Sequence, residues 1–404
     1  MKRIVLFAVV AISFIACEKD PITTIDFTEN AAAVVENYRV SLDEALQIAD
    51  SHIDNLNPQT RGVNRKVKST ELYVAKPATR SVGNQEVSFY LVNYEDNQGF
   101  AMVSTDERAT PVYAYSDSGQ LTSDDLETNP ALKIFMEGSI ENYQIEVAGY
   151  DQPLPIDSIY GDMGKLRIVE YDGGLYYESL TVETTEVEPL LTTEWHQFAP
   201  YGSFCPNGVG GCGPIAAAQI MAYHKHPSWF NSYPFDWDAM TVNPTIDQSS
   251  TVASDVAFLV WQIAENAEAE YNEGSTSTYI NRMKYTFRDF DYSCGHPSSY
   301  DIERIKQNLH LSQPIYIRGE SATEGNHAWV IDGFRRYAYR HTYYYTFEPY
   351  DRYDTFISTS STYVHCNFGW QRDDDGSTEN GYYLSNSLRF PTDVKVIYDI
   401  VPVE

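Results

Sequence analysis

The sequence predicts an α+β protein made of two patterned blocks, on three observations. In the larger, C-terminal block helical periodicity comes first and strand alternation follows, without βαβ alternation. A smaller N-terminal block mixes helices with a hairpin. No period of solenoid length recurs along the 404 residues.

The first firm element is "SLDEALQIADSHI". Ser41 and Glu44 form a capping-box pattern, and Leu42, Ala45, Leu46, Ala49 and Ile53 recur at helical spacing. "VSFYLVNYEDNQGFAMVSTD" predicts a hairpin with strands at 87–94 and 100–104, turning through Asp96, Asn97, Gln98 and Gly99. "TPVYAYSDSG" adds a strand, and "NPALKIFMEGSIENYQIEV" a helix with Leu132, Ile134, Phe135, Ile140 and Tyr143 on its apolar side. Residues 35–148 thus form a small α+β domain. Residues 149–186, rich in Gly, Asp, Thr and Glu, suit a linker open to processing. The larger domain, 187–404, has helices after Cys212, around 254–269 and at "SSYDIERIKQNLHL". Strands follow at "QPIYIRG", "HAWVIDGF", "STYVHCNFGW" and "GYYLSNSL".

The 57 acidic residues against 28 basic ones, a formal charge of −29, argue against nucleic acid or an anionic membrane surface as partner. Lys2 and Arg3 lead into an apolar run over 4–15, which is too short to span a bilayer and reads as a secretory signal over 1–17. "FIAC" followed by "EKD" resembles a bacterial lipoprotein signal, which would make Cys17 the lipid acceptor and 18–34 a tether. Phe14 and Ile15 depart from the usual lipobox, and a plainly cleaved signal is the alternative. The expectation is an exported protein of the bacterial cell envelope, lipid-anchored at the outer membrane or cell surface.

Cys205, Cys212, Cys294 and Cys366 are too scattered for a small disulfide framework. There is no CxxC pair, and His224 and His226 lack further ligand spacing. Neither a metal nor an organic cofactor is implied.

The stretch that carries chemistry is "GGCGPIAAAQIMAYHKHP", 210–227. Pro214 suits the first turn of a helix, and Ala216 to Met221 continue it. Cys212 therefore precedes or opens a helix, where unpaired N–H groups and the helix dipole favour thiolate over thiol. Gly210, Gly211 and Gly213 leave room for a backbone or a substrate to come close. A small buried cysteine in a tight turn reads the same way locally, so a partner base decides the matter. Among nine histidines, His327 in "EGNHAWVIDG" follows a glycine loop at the mouth of a strand. Asn367 in "VHCNFGW" offers an amide to orient an imidazole, and Trp370 a ring to shield it. Gln197 in "EWHQFAP" can add a side-chain N–H to the backbone N–H of Cys212 as an oxyanion site.

In that order, these motifs resemble the streptopain family of papain-like cysteine peptidases over 187–404. The hairpin "GFAMVSTDERATPVYAYSDSG" with its flanking helices is similar to that family's inhibitory propeptide. The resemblance implies a papain-like catalytic domain behind a propeptide domain at 35–148. It implies Cys212 as nucleophile, His327 as general base and acid, Asn367 as orienting residue and Gln197 as oxyanion donor, with Gly211 and Trp370 beside the substrate. Gly213 and Pro214 depart from the family's usual Val and Ala after the cysteine, and Phe368 from its usual Trp. The partners implied are protein or peptide substrates and the chain's own propeptide. The rival readings are a papain-like amidase or transglutaminase acting on cell-wall peptide or glutamine side chains, and a non-catalytic surface binding protein. The insertion 335–363, rich in Tyr, reads as an extended hairpin that either binds substrate or a partner through its aromatic faces or is a solvated, packed ribbon.

Overall fold

Helix α1 (Leu42–Leu56) begins where Ser41 and Glu44 cap each other, the Ser41 N–H donating to Glu44 Oε2 at 2.7 Å and the Glu44 N–H to Ser41 Oγ at 3.3 Å. Strands β1 (Val67–Val74), β2 (Ser88–Tyr94), β3 (Phe100–Ser104) and β4 (Val112–Ser116) form an antiparallel run. Helices α2 (Ser123–Thr128) and α3 (Pro130–Gly149) follow. The computed structural model describes residues 38–56, 65–75, 86–149, 166–171, 174–321, 325–345, 353–371, 378–389 and 394–403. The signal, Cys17 and the 18–34 tether lie outside the described residues, and everything described from Val40 onward belongs to one unit.

The stretch 149–186, expected to be linker, instead supplies β5 (Leu166–Tyr171) and β6 (Gly174–Val187). The C-terminal part contributes α4 (Cys212–His224), α5 (Ala253–Asn266), α6 (Ile280–Asp289) and α7 (Ile302–His310). Its strands in the main sheet are β7 (Ser298–Ser299), β8 (Ile315–Glu320), β9 (Asn326–Tyr345), β10 (Tyr353–Asn367), β11 (Gly381–Leu384) and β12 (Lys395–Ile397). These twelve strands join in one sheet, whose main path runs β1-β2-β3-β4-β11-β10-β9-β8-β12-β7, and the described residues hold three further two-stranded sheets.

Strand β9 serves two neighbours along one edge. Asn326–Ile331 pairs with β8, and Phe334–Tyr345 pairs with β6. The changeover falls at Asp332 and Gly333. The Asp332 carboxylate accepts from the Leu191 N–H at 3.0 Å and binds His365 Nδ1 at 2.6 Å, while a Cβ on Gly333 would sit 2.9 Å from the Val187 carbonyl oxygen. Only glycine lets the chain leaving β6 pass there.

The two sequence blocks do not keep separate cores. β4 pairs with β11 (Tyr115 with Tyr382, Ala114 with Tyr383), and the Tyr363 hydroxyl donates to the Val112 carbonyl at 2.7 Å. One hydrophobic core holds Phe89, Val103, Leu132 and Phe135 together with Trp329, Tyr363, Tyr383 and Leu388. The reason is edge satisfaction: β4 and β11 would each present unpaired backbone groups, and joining them removes both edges. Tyr337, the first tyrosine of the 335–363 insertion, is buried in this seam against His52 and Tyr363. A second core surrounds α4 with α5 and α6.

Candidate active site

Helix α4 is apolar nearly all round, and residues 213–222 are buried throughout, as expected of a central helix. Its N-cap is Gly211 at φ +86°, a conformation that favours glycine. A Cβ on Gly211 would lie 2.7 Å from the Thr276 carbonyl, and one on Gly213 would lie 2.3 Å from Thr278 Oγ1 and 3.0 Å from the Tyr316 hydroxyl. Gly211, expected beside the substrate, is buried, and Thr276 occupies the space its missing side chain leaves. The same crowding explains why this chain has Gly213 where valine is usual. Thr278 and Tyr316 already fill the volume.

The helix start faces the first residues of β9. The Cys212 thiol is half-buried, and burial alone would push its pKa up. The His327 imidazole, by charge and hydrogen bonding, the Ala328 N–H and the Arg318 guanidinium outweigh that cost, so the thiol lies below its ordinary value. The other described cysteines move the opposite way: burial pushes Cys205 up to about 11 and also raises Cys294 and Cys366. All four are free thiols, and only Cys212 sits where the thiolate is favoured.

His327 is buried at the mouth of β9 and is fixed from its far side: Nε2 donates to the Phe368 carbonyl at 2.7 Å. The Trp370 ring meets it edge-on, with centroids 5.9 Å apart, and Trp329 lies at 6.3 Å. Trp370 thus lies against the imidazole. Asn367, expected to orient His327, makes no hydrogen bond to it among the described residues. Its amide is engaged elsewhere: Nδ2 donates to the Thr193 carbonyl at 2.7 Å, and Oδ1 accepts from Gln219 Nε2 at 3.0 Å and from the Gly369 N–H at 3.2 Å. The buried amide of Gln219 is a matching partner on the adjacent helix, and it claims Asn367 while the backbone carbonyl one residue on takes the imidazole.

Gln197 is brought to the same place. Its carbonyl accepts from the Gly210 N–H at 2.7 Å, two residues before Cys212, and its side-chain amide makes no hydrogen bond among the described residues. That leaves it free to donate to an oxyanion formed beside the Cys212 N–H. Among the described residues no group of three or more His, Cys, Asp or Glu could hold a metal ion.

The sequence reading missed Gln219 and Asn380. The signal for Gln219 was present in "AAAQIMA", since an amide inside an apolar helix must find buried partners. Nothing local marks Asn380, whose Oδ1 accepts from the Phe368 N–H at 2.9 Å.

Residues 195–383 match the model of the peptidase C10 family, and residues 32–143 match that of the Spi protease inhibitor. The chain is 22% identical over 383 residues to the thiol protease/hemagglutinin PrtT of Porphyromonas gingivalis, covering 82% of this chain and 38% of that protein. It therefore spans well under half of that relative's length. A structure of a prointerpain A fragment from Prevotella intermedia superposes with a TM-score of 0.52 at 20% identity, over 83% of this chain and 100% of that one, and shares its papain-like fold.

Proposed function

Because residues 195–383 belong to the peptidase C10 (streptopain) family and follow a segment matching the Spi protease inhibitor, we propose that the protein is a cysteine endopeptidase made as a zymogen. The observation that carries this reading is the pairing of the one described cysteine with a lowered thiol pKa, at a helix start, with an imidazole held from its far side. The Cys212 sulfur attacks the scissile carbonyl carbon while its proton resides on His327. The C–N bond then breaks, His327 protonates the departing amine, and an acyl-thioester remains on Cys212. His327 next takes a proton from water, which attacks the thioester and releases the acid and the thiol. Gln197 and the Cys212 N–H stabilise the oxyanion in both halves.

The propeptide reading is supported by the shared core, through which 40–149 can hold the precursor together. The expected result is that Cys212→Ala accumulates at full length, while the wild-type chain shortens to a product that begins ahead of β5. Strands β5 and β6 are engaged in the sheet, and a protease needs unpaired extended chain. N-terminal sequencing checks this, and a wild-type chain that stays intact yet is fully active overturns the zymogen reading.

We also propose export, with a lipid at Cys17, on the support of the residues preceding and including it. Cys17→Ala then moves the protein from the membrane fraction to the soluble fraction. An unchanged distribution sinks the anchor.

A further inference from the structure

A main-chain carbonyl, that of Phe368, holds His327 Nε2, and among the described residues no side chain hydrogen-bonds that nitrogen. What fixes that carbonyl is a buried network. The Phe368 N–H donates to Asn380 Oδ1 at 2.9 Å, and Asn367, the residue before it, is pinned by Gln219 Nε2 at 3.0 Å and by the Thr193 carbonyl at 2.7 Å. Gln219 Oε1 in turn accepts from Thr193 Oγ1 and from the Trp195 N–H, both at 3.0 Å. Gln219 is fully buried, and Asn367 and Thr193 are nearly so. A Cβ on Gly369, at φ +58°, would meet Ile215 of α4 at 2.9 Å, so the turn after Phe368 lies directly on that helix.

Gln219 stands seven residues after Cys212 on α4, about two helical turns and therefore on roughly the same face. One rigid helix carries the sulfur at its start and, two turns on, the amide that grips the strand end holding the base's acceptor. We propose that Gln219 is a positioning residue for the catalytic base, acting through Asn367 and the Phe368 carbonyl, with Asn380 as the second clamp on the same peptide unit. The inference rests on the peptidase reading and deepens it, because it names what keeps the imidazole in register with the thiol.

The chemistry of the amide makes the proposal specific. Gln219 Oε1 accepts from Thr193, from Trp195 and, more weakly, from Asn367 Nδ2 at 3.3 Å, while Nε2 donates to Asn367 Oδ1 at 3.0 Å, and only a side chain with both functions serves all of them. Gln219→Glu, while ionised, keeps the acceptor contacts, including the 3.3 Å one from Asn367 Nδ2, and loses the shorter bond to Asn367 Oδ1, setting a carboxylate against that oxygen. Burial raises the pKa of such a carboxyl, so at lower pH it becomes protonated and can donate to Asn367 Oδ1 again.

The test uses the full chain and follows two readouts across pH: hydrolysis of an unstructured protein, and the rate of iodoacetamide alkylation at Cys212 read by peptide mass. For Gln219→Glu above neutral pH we expect kcat to fall by roughly 30-fold, a part of what general acid–base catalysis typically contributes. KM should stay within about threefold. The alkylation profile should move up by about one pH unit, since thiolate formation loses its oriented imidazole. Activity relative to wild type should recover as the pH falls. A purely structural role for Gln219 would lower the melting temperature without moving the alkylation profile.

If Gln219→Glu does not fold, the partly exposed Asn380 provides the second pair. Asn380→Asp keeps the acceptor for the Phe368 N–H and should retain activity, whereas Asn380→Leu should lose about tenfold in kcat with the same upward alkylation shift. Folded Gln219→Glu and Asn380→Leu chains with wild-type kcat and wild-type alkylation profiles overturn the proposal. If the wild-type chain itself does not hydrolyse, or Cys212→Ala hydrolyses equally, the peptidase reading fails instead. The alkylation profiles still report whether Gln219 tunes the thiol.

Discussion

Cys212→Ala and His327→Ala should each lower hydrolysis of an unstructured protein by a factor on the order of 10⁴ or more, because a thiolate and its imidazole act as one unit. The structure makes the comparison clean. Cys212 is half-buried at a helix start, so removing its sulfur leaves only a small void. His327 is buried and its loss frees the Phe368 carbonyl, a cost of about 1–3 kcal/mol in a molecule that keeps the rest of its sheet. Circular dichroism and melting curves should therefore show folded proteins. Asn367→Ala should lose less activity than either, since it transfers no proton and reaches His327 only through the neighbouring carbonyl. A well-folded Cys212→Ala chain that still cleaves would exclude the thiol mechanism outright.

The second large effect is on stability against pH. His52 of α1 is completely buried among the rings of Tyr115, Tyr337 and Tyr363, with centroids 5.0–5.3 Å away, in the seam between β4 and β9–β10. Its Nδ1 lies 3.4 Å from the Tyr337 hydroxyl, and its Nε2 has no hydrogen-bond partner among the described residues. No carboxylate faces it in these contacts, and burial pushes its pKa down to about 3 from 6.5. The unfolded chain therefore binds a proton that the folded chain refuses anywhere between those values. Stability from this group is complete above pH 6.5 and is lost as the pH falls toward 3. At 1.36 kcal/mol per pKa unit, the loss by pH 4.5 is about 3 kcal/mol. In the Cys212→Ala background, which removes self-cleavage, the urea midpoint should drop between pH 7.5 and 4.5 by more than in the same protein carrying His52→Phe. Equal pH slopes in the two proteins would show that the seam does not sense protons through His52.

Much of the local structure could be read along the chain. The Ser41–Glu44 cap, the hairpin at 88–104 and the helix opened by Cys212 all follow from residues near one another in sequence, where propensity and capping chemistry decide. Helix α6 was missed because its apolar residues, Met283 and Phe287, are sparse among polar ones, and only packing against the second core declares them. Cys212, His327 and Trp370 were legible as candidates, since a cysteine at a helix start and a histidine at a strand mouth carry their own physical rationale.

Tertiary structure alone decided the rest. Which carbonyl or amide holds His327 depends on the reach of Gln219 from α4 to Asn367, 148 positions later in the chain. Hydrogen-bond competition of that kind is resolved by distances of a few tenths of an ångström, and sequence spacing does not encode them. The shared sheet is of the same nature. Each block of sequence specifies its own strands by alternation, but whether two edges pair is settled by the backbone groups that would otherwise stay unsatisfied, and those belong to the assembled molecule. The sequence by itself therefore determined which groups are candidates for the chemistry and the elements that bear them. Their register, and the residues that hold it, were decided only when the chain closed on itself.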